Sequence, residues 1–193
     1  MGDEEPELTL EGENDKLEIA GASGDFTEIV KGGGEVALVE GSDVEIAANN
    51  SSFSGTWSAA SGTSLKAYGT EEGFGLDELL GSASINLVSG ATVALSEERG
   101  WTLQNAVEGT GGELHIDAAG GDFDFASEGT TAGYTGDFDF TNVQLAVGGS
   151  STGYVAENLR GHHSFLGTGA NLTVSGDATV GALALGESGR ISV

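Results

Sequence analysis

Two acidic pairs carry the clearest chemical pattern in this sequence. Asp122 and Asp124, then Asp137 and Asp139, alternate with phenylalanines in two copies of Gly-Asp-Phe-Asp-Phe, at 121–125 and 136–140. Successive side chains on a strand point to opposite faces, so each pair sets two carboxylates on one side and two rings on the other. Were these strands stacked in adjacent layers, four carboxylates would cluster into the oxygen-rich donor set that Ca²⁺ takes. An acidic solvent face over an aromatic core is the other reading, and the glycine-rich Ca²⁺ nonapeptide is absent.

A second candidate is Gly149-Ser-Ser-Thr-Gly153, which matches the nucleophile-elbow pattern and has Glu157, His162 and His163 nearby. That elbow needs a strand, a sharp turn and a helix in an alternating α/β chain, with its base far along the sequence, and neither condition holds here. A glycine-serine loop is the plainer reading, and no catalytic site is expected. His162 and His163 are consecutive, so on a strand they would face opposite ways and could not share one metal. They and His115 are expected to be solvent-exposed. The uncharged stretch from Thr141 to Tyr154 is the candidate contact patch, through Thr141, Asn142, Gln144, Ser150, Ser151, Thr152 and Tyr154. Its alternative is an ordinary polar turn.

The elements that must position these residues are short strands. Leu8 to Leu10, Leu17 to Ile19, Phe26 to Val30, Val36 to Val39 and Val44 to Ile46 alternate apolar and polar residues at period two. Glycine-rich turns separate them, at Gly21 to Gly24, Gly32 to Gly34 and Gly41. Single helical turns are expected near Gly75 to Leu80 and Val155 to Leu159.

The chain also repeats itself. Phe53-Ser-Gly-Thr-Trp57 returns as Tyr134-Thr-Gly-Asp-Phe138, and Gly34-Glu-Val-Ala-Leu38 returns as Gly112-Glu-Leu-His-Ile116 at nearly the same offset. Leu80, Leu87, Gly90, Ala91, Val93 and Leu95 fall on Leu159, Leu166, Gly169, Ala170, Leu172 and Val174, all at one constant spacing. The reading is one solenoid over residues 1–193, built of two tandem units at about 29–107 and 108–186 and flanked by partial coils. Solenoids grow by stacking coils, whereas a sandwich seldom duplicates half its strands in line.

Composition narrows the function classes. Acids outnumber bases 31 to 6, for a net charge of −25, which opposes nucleic-acid and anionic-membrane partners. Cysteine is absent, which excludes disulfides and thiolate metal sites. The opening residues are acidic and lack the apolar run of a signal peptide, and no stretch is long and apolar enough for a membrane helix. The Met1-Gly2 start is read as the beginning of a piece of something longer.

Read in order, Phe53, Gly55, Trp57, Gly62, Leu65, Leu80, Gly81, Ala83, Gly90, Ala91, Val93, Leu95, Trp101, Leu103, Asn105, Gly109, Gly112 and Leu114 form a phrase. This phrase resembles the passenger region of Gram-negative autotransporters, of the pertactin-like and diffuse-adherence-adhesin-like kind. The second copy departs from it at Phe138, at Arg160 and around Gly181 to Leu185. The resemblance implies an all-β, right-handed, single-stranded parallel β-helix with short loop or one-turn helix excursions. It implies a non-catalytic passenger segment displayed at the cell surface or released, acting in adhesion, autoaggregation or biofilm formation. It also implies a C-terminal translocator barrel in the full-length protein. Partners would be a second copy or a host surface or matrix component, with no cofactor beyond the Ca²⁺ candidate. Two alternatives remain open: an inert stalk or folding-nucleus segment, and a polysaccharide-active β-helix enzyme. The enzyme reading is opposed by the lack of any cationic cluster among six scattered bases. Mostly buried positions are expected at Phe53, Trp57, Leu65, Trp101, Leu103, Leu114, Phe123, Phe125, Phe138 and Leu145.

Overall fold

A computed structural model describes residues 7–148 and 153–193. The chain winds as a parallel β-helix in which every paired strand is parallel to its neighbours and lies one coil away from them. Eight strands form the longest sheet, running from Ser23–Phe26 through Asp43–Ile46, Ser64–Gly69, Thr92–Glu97, Glu113–Asp117, Asp137–Thr141 and His163–Leu166 to Ala182–Leu185. Six form the second sheet, from Lys16–Ala20 to Gly133–Tyr134. The third face is interrupted: Glu7–Leu10 pairs with Ile29–Gly32, Trp101–Leu103 with Phe123–Phe125, and Gln144–Gly148, Asn171–Ser175 and Arg190–Ser192 form its last sheet. Coils differ in length: His163 is registered on Ala182 across a short one, and Ser64 on Thr92 across a long one.

Period-two alternation becomes columns in the core. Val44, Leu65, Val93, Leu114, Phe138 and Ser164 lie one above another, and beside them Ile46, Ala67, Leu95, Ile116, Phe140 and Leu166 do the same. All twelve are buried. In-register parallel stacking at the ~4.8 Å strand spacing sets apolar over apolar through most of each column, the exception being Ser164 over Phe138. Nine of the ten expected core residues are fully enclosed, and Trp101 is the least covered of them. It is partly buried, with its ring nitrogen donating to the Asp117 carbonyl at 3.1 Å.

The two helical turns are five-residue helices, α1 (Leu76–Leu80) and α2 (Val155–Leu159). Leu76, Leu79 and Leu80 of the first and Val155 and Leu159 of the second are buried, which is what holds helices this short. They occupy corresponding places in the sequence repeat but different places in the coil. The first lies between a strand of the eight-stranded sheet and one of the six-stranded sheet, where the third face would be. The second lies between the third face and the eight-stranded sheet.

The whole repeat shows that same rotation. Gly34 to Leu38 lies on the six-stranded sheet and its match, Gly112 to Ile116, on the eight-stranded one. Val93 and Leu95 lie on the eight-stranded sheet, and their matches Leu172 and Val174 on the third face. One repeat therefore spans three coils and one further face. Each face makes the same demands, an inward apolar alternation and a glycine at the corner, so a segment shifted by one face still buries the right side chains.

The aromatic motif keeps its geometry through that rotation. Phe53 meets Trp57 edge-to-face at 5.1 Å and 73°, and Tyr134 meets Phe138 at 5.5 Å and 75°. In both copies the first ring folds back over the central glycine. A Cβ at Gly55 would strike the Phe53 ring and the Gly34 carbonyl oxygen, and one at Gly136 the Tyr134 ring and the Gly112 carbonyl oxygen. Thr56 and Asp137 each donate their backbone N–H to that same carbonyl, at 2.9 and 3.0 Å.

Buried asparagines tie the coils together. Asn50 accepts the Val30 N–H at 2.7 Å and donates to the Leu79 carbonyl at 2.9 Å, so it touches the coils before and after its own. Asn105 donates to the Gly81 and Ala83 carbonyls. Asn158 accepts the Thr131 N–H and donates to the Ser127 and Tyr154 carbonyls.

Candidate functional site

The four aspartates are not brought together. Asp122 and Asp124 lie on the third face, whereas Asp137 and Asp139 lie on the eight-stranded sheet, so the strands do not stack and the Ca²⁺ cluster does not form. Among the described residues no three His, Asp or Glu side chains are arranged to hold a metal ion. The face alternation itself holds, with Phe123, Phe125, Phe138 and Phe140 inside and the carboxylates outside. Four carboxylates on two different sheets cannot share one ion, and only the winding of the coil could reveal that.

Each pair has its own surroundings. Asp139 takes His115, one coil away and directly opposite in register, at 3.0 Å through Oδ2. His163 stands 3.8 Å from Asp137 on an exposed flank. Asp124 is a fastening: its Oδ1 accepts the N–H of Phe125 at 2.8 Å and of Tyr154 at 2.7 Å, which draws the entry of α2 onto the third face. Asp122 is exposed, and its backbone bridges to Gln144 in the next coil.

His162 corrects the expectation of exposure. It is buried, stacked at 5.5 Å on Tyr134, edge-on to Phe138, and its Nδ1 is 2.9 Å from the Gly136 carbonyl. It precedes the strand His163–Leu166 at a corner, where strand alternation no longer assigns its side. The ring is thereby packed in the core. Burial pushes the Tyr134 hydroxyl well above the ordinary phenol range, with the nearby Asp137 and Glu113 charges acting the same way. That hydroxyl is shared between the Asp137 and Gly112 carbonyls at 2.9 and 3.1 Å.

The uncharged stretch separates on folding. Thr141 ends a strand of the eight-stranded sheet, and Asn142 turns the corner after it, with a left-handed φ of 48° and its amide donating to Asp117 at 3.1 Å. Gln144 starts the next strand of the third face and accepts from Asn171 at 3.1 Å. Tyr154 is exposed at the start of α2. Ser150, Ser151 and Thr152, with most of the serine motif, lie outside the described residues.

What the fold assembles is a groove of about 730 Å³ on the third face. Thr102, Asp122, Asp124 and Gln144 are its polar lining, Trp101 and Phe123 its aromatic lining, and Gly100 and Gly121 lie between them. Trp101 and Phe123 meet edge-to-face at 4.8 Å. Among the described residues no cation lines this groove, so it repels polyanions; the exposed Asp122 carboxylate is its uncommitted acceptor, since Asp124 Oδ1 and Gln144 Oε1 already accept from Phe125, Tyr154 and Asn171. Sequence reasoning singled out Asp122, Asp124 and Gln144 separately. It missed their conjunction with Trp101, because the coil lengths that superpose positions 101, 123 and 145 are not written in any one motif.

The three lysines are engaged elsewhere. Lys31 reaches Glu7 at 2.7 Å, Lys16 reaches Glu35 at 3.4 Å and Lys66 reaches Asp43 at 2.6 Å, each across adjacent coils. The bond to Lys66, with help from Ser64, holds the Asp43 carboxyl below its usual range. These exposed pairs relieve carboxylate ladders locally and add little stability.

No family model matches the chain, and no solved structure matches it. Among curated proteins it is similar to the uncharacterized lipoprotein YdeK of Escherichia coli (strain K12), at 24% identity over 165 residues. That alignment covers 85% of this chain and 11% of the lipoprotein, so the chain spans about a ninth of the relative's length.

Proposed function

We propose that this chain is a non-catalytic, surface-displayed segment of an autotransporter-like passenger, and that its third face makes adhesive contacts. The observation that carries the reading is the open groove at Asp122, Asp124, Gln144 and Trp101, where Thr102 and Asp124 stand in register on neighbouring coils. An open groove of hydrogen-bonding groups beside an aromatic edge suits a hydroxyl-rich or amide-rich surface, and repetition multiplies weak contacts. The lack of a cation in its lining weighs against a polyuronate-degrading enzyme. A place in the cell envelope is supported by the word lipoprotein in the relative's name, and the order of motifs along the chain supports the passenger reading.

The test is display of the chain on a non-adherent bacterial cell, scored for aggregation and for retention on glycan- and matrix-coated surfaces. Replacing Asp122 and Gln144 together by alanine should lower retention at least about fivefold while leaving the thermal transition in place. Retention equal to the parent chain would refute the groove as the contact. A segment whose deletion abolishes export while its display confers no adhesion would instead be a stalk.

A further inference from the structure

The third face has a gap in the middle of the stack. In the coil before Trp101–Leu103 the chain forms α1 where a strand of that face would lie, so Trp101–Leu103 is paired on one side only, with Phe123–Phe125. Toward that partner Trp101 donates to the Asp122 carbonyl at 2.9 Å, and the Leu103 carbonyl accepts from Ala126 at 3.0 Å. Alternate residues of a parallel strand bond to opposite sides, so the N–H and C=O of Thr102 turn the other way, toward α1. Among the described residues no backbone group pairs with them there. Between α1 and this strand lies a groove of about 480 Å³, lined in part by Asp77, Glu78, Glu97, Arg99, Trp101 and Thr102.

Glu97 is the unusual member of that lining. It ends the strand Thr92–Glu97 on its inward side, and only 7% of it is exposed. Its Oε2 accepts the Leu76 N–H at 3.0 Å, whereas its Oε1 has no donor among the described residues. Gly69 stands opposite it in register and leaves the room it fills, since a Cβ there would strike the carboxylate. Burying a carboxylate with an oxygen unmet is costly, and the groove is the way by which a donor can reach it. Arg99 is turned instead to Glu71, at 4.0 Å on the surface.

We propose that this groove binds an extended peptide that carries a lysine. The peptide backbone exchanges hydrogen bonds with the N–H and C=O of Thr102, lying as a short strand beside Trp101–Leu103. Residues flanking the one opposite Thr102 face inward, as Trp101 and Leu103 do, and one of them brings its ammonium to Glu97. With one oxygen already held by Leu76, Glu97 offers a single point of contact, which suits a compact ammonium better than a forked guanidinium. Charge selects the same partner, because Asp77 and Glu78 also line the groove on a chain of net charge −25. Trp101 borders the adhesive groove as well, but neither Asp122 nor Gln144 lines this one, so the two sites can fail separately.

The chain has two tryptophans, buried Trp57 and partly buried Trp101, so their indole N–H signals in a nuclear magnetic resonance titration give a reporter and a control. The probe is a pool of blocked pentapeptides with lysine at the centre and varied uncharged residues around it. The Trp101 signal should shift saturably while the Trp57 signal stays. The same pool with glutamine at the centre should bind at least about tenfold more weakly, and a lysine pool with methylated peptide nitrogens should not bind. Glu97→Gln keeps an oxygen for the Leu76 N–H and should weaken the lysine pool as much as the glutamine centre does, with an unchanged thermal transition confirming its fold. Asp122→Ala with Gln144→Ala should bind the lysine pool as the parent does. A Trp101 signal that does not move, or a glutamine or methylated pool that binds equally well, would overturn the proposal. So would butylamine binding as tightly as the peptides, which would put recognition in the amine alone, or loss of binding in the Asp122 and Gln144 variant, which would put the peptide in the adhesive groove.

Discussion

Asn50 is a single side chain on which three coils depend. It is fully buried, and it satisfies the Val30 N–H at 2.7 Å, the Leu79 carbonyl at 2.9 Å and the Ala48 carbonyl at 3.1 Å. Replacement by leucine keeps much of the volume and removes all three bonds. A buried donor or acceptor left without a partner costs about 1–3 kcal/mol. With some relaxation of Ala48, the total should be about 3–5 kcal/mol. For a chain of this size that lowers the midpoint by roughly 6–20 °C. Urea unfolding followed by fluorescence is the assay, because Trp57 is buried in the adjacent coil and donates to the Leu80 carbonyl. Asn50→Asp sharpens the test. It keeps the acceptor, loses both donors and buries a charge, so its deficit should shrink as pH falls and the carboxyl becomes a donor. A leucine variant within about 1 kcal/mol of the parent would refute the view that the asparagine holds the coils together.

Phe138→Ala should cost about 3–5 kcal/mol, because that ring packs against Phe125, Tyr134, Phe140 and His162. Trp101→Ala should cost less, since Trp101 is only partly buried; equal losses in paired urea titrations would contradict this. Gly136→Ala should destabilise by about 2 kcal/mol or more, because its Cβ would strike both the Tyr134 ring and the Gly112 carbonyl. Thermal melts that leave it within 0.5 kcal/mol (about the scatter of neutral surface changes) would argue against the motif's geometry. Tyr134 has a folded pKa raised above its unfolded value. Its contribution is therefore complete below pH ~10 and is lost as pH rises from there toward the folded value. Alkaline unfolding monitored by circular dichroism should move to higher pH in Tyr134→Phe, and no movement would count against this tyrosine as the trigger.

Much of the architecture was legible in the chain itself. Alternating strands, glycine corners and a tandem repeat specify a stack of short parallel strands, because burying one face of each strand is a local, period-two requirement. Alternation likewise assigned Phe123, Phe125, Phe138 and Phe140 to the core and their aspartates to the surface. One local exception escaped it: His162 sits at a corner, where period two lapses. What tertiary structure alone decided is which residues meet across coils. Coil length varies along the stack, as the pairings of His163 with Ala182 and of Ser64 with Thr92 show, so a fixed sequence offset does not return to a fixed face. The tandem repeat therefore lands one face away, parting Asp122 and Asp124 from Asp137 and Asp139 while setting them beside Gln144 and Trp101. Burial depends on each strand's own pattern, whereas proximity depends on the summed length of every turn between, including two helical turns whose span no strand periodicity encodes.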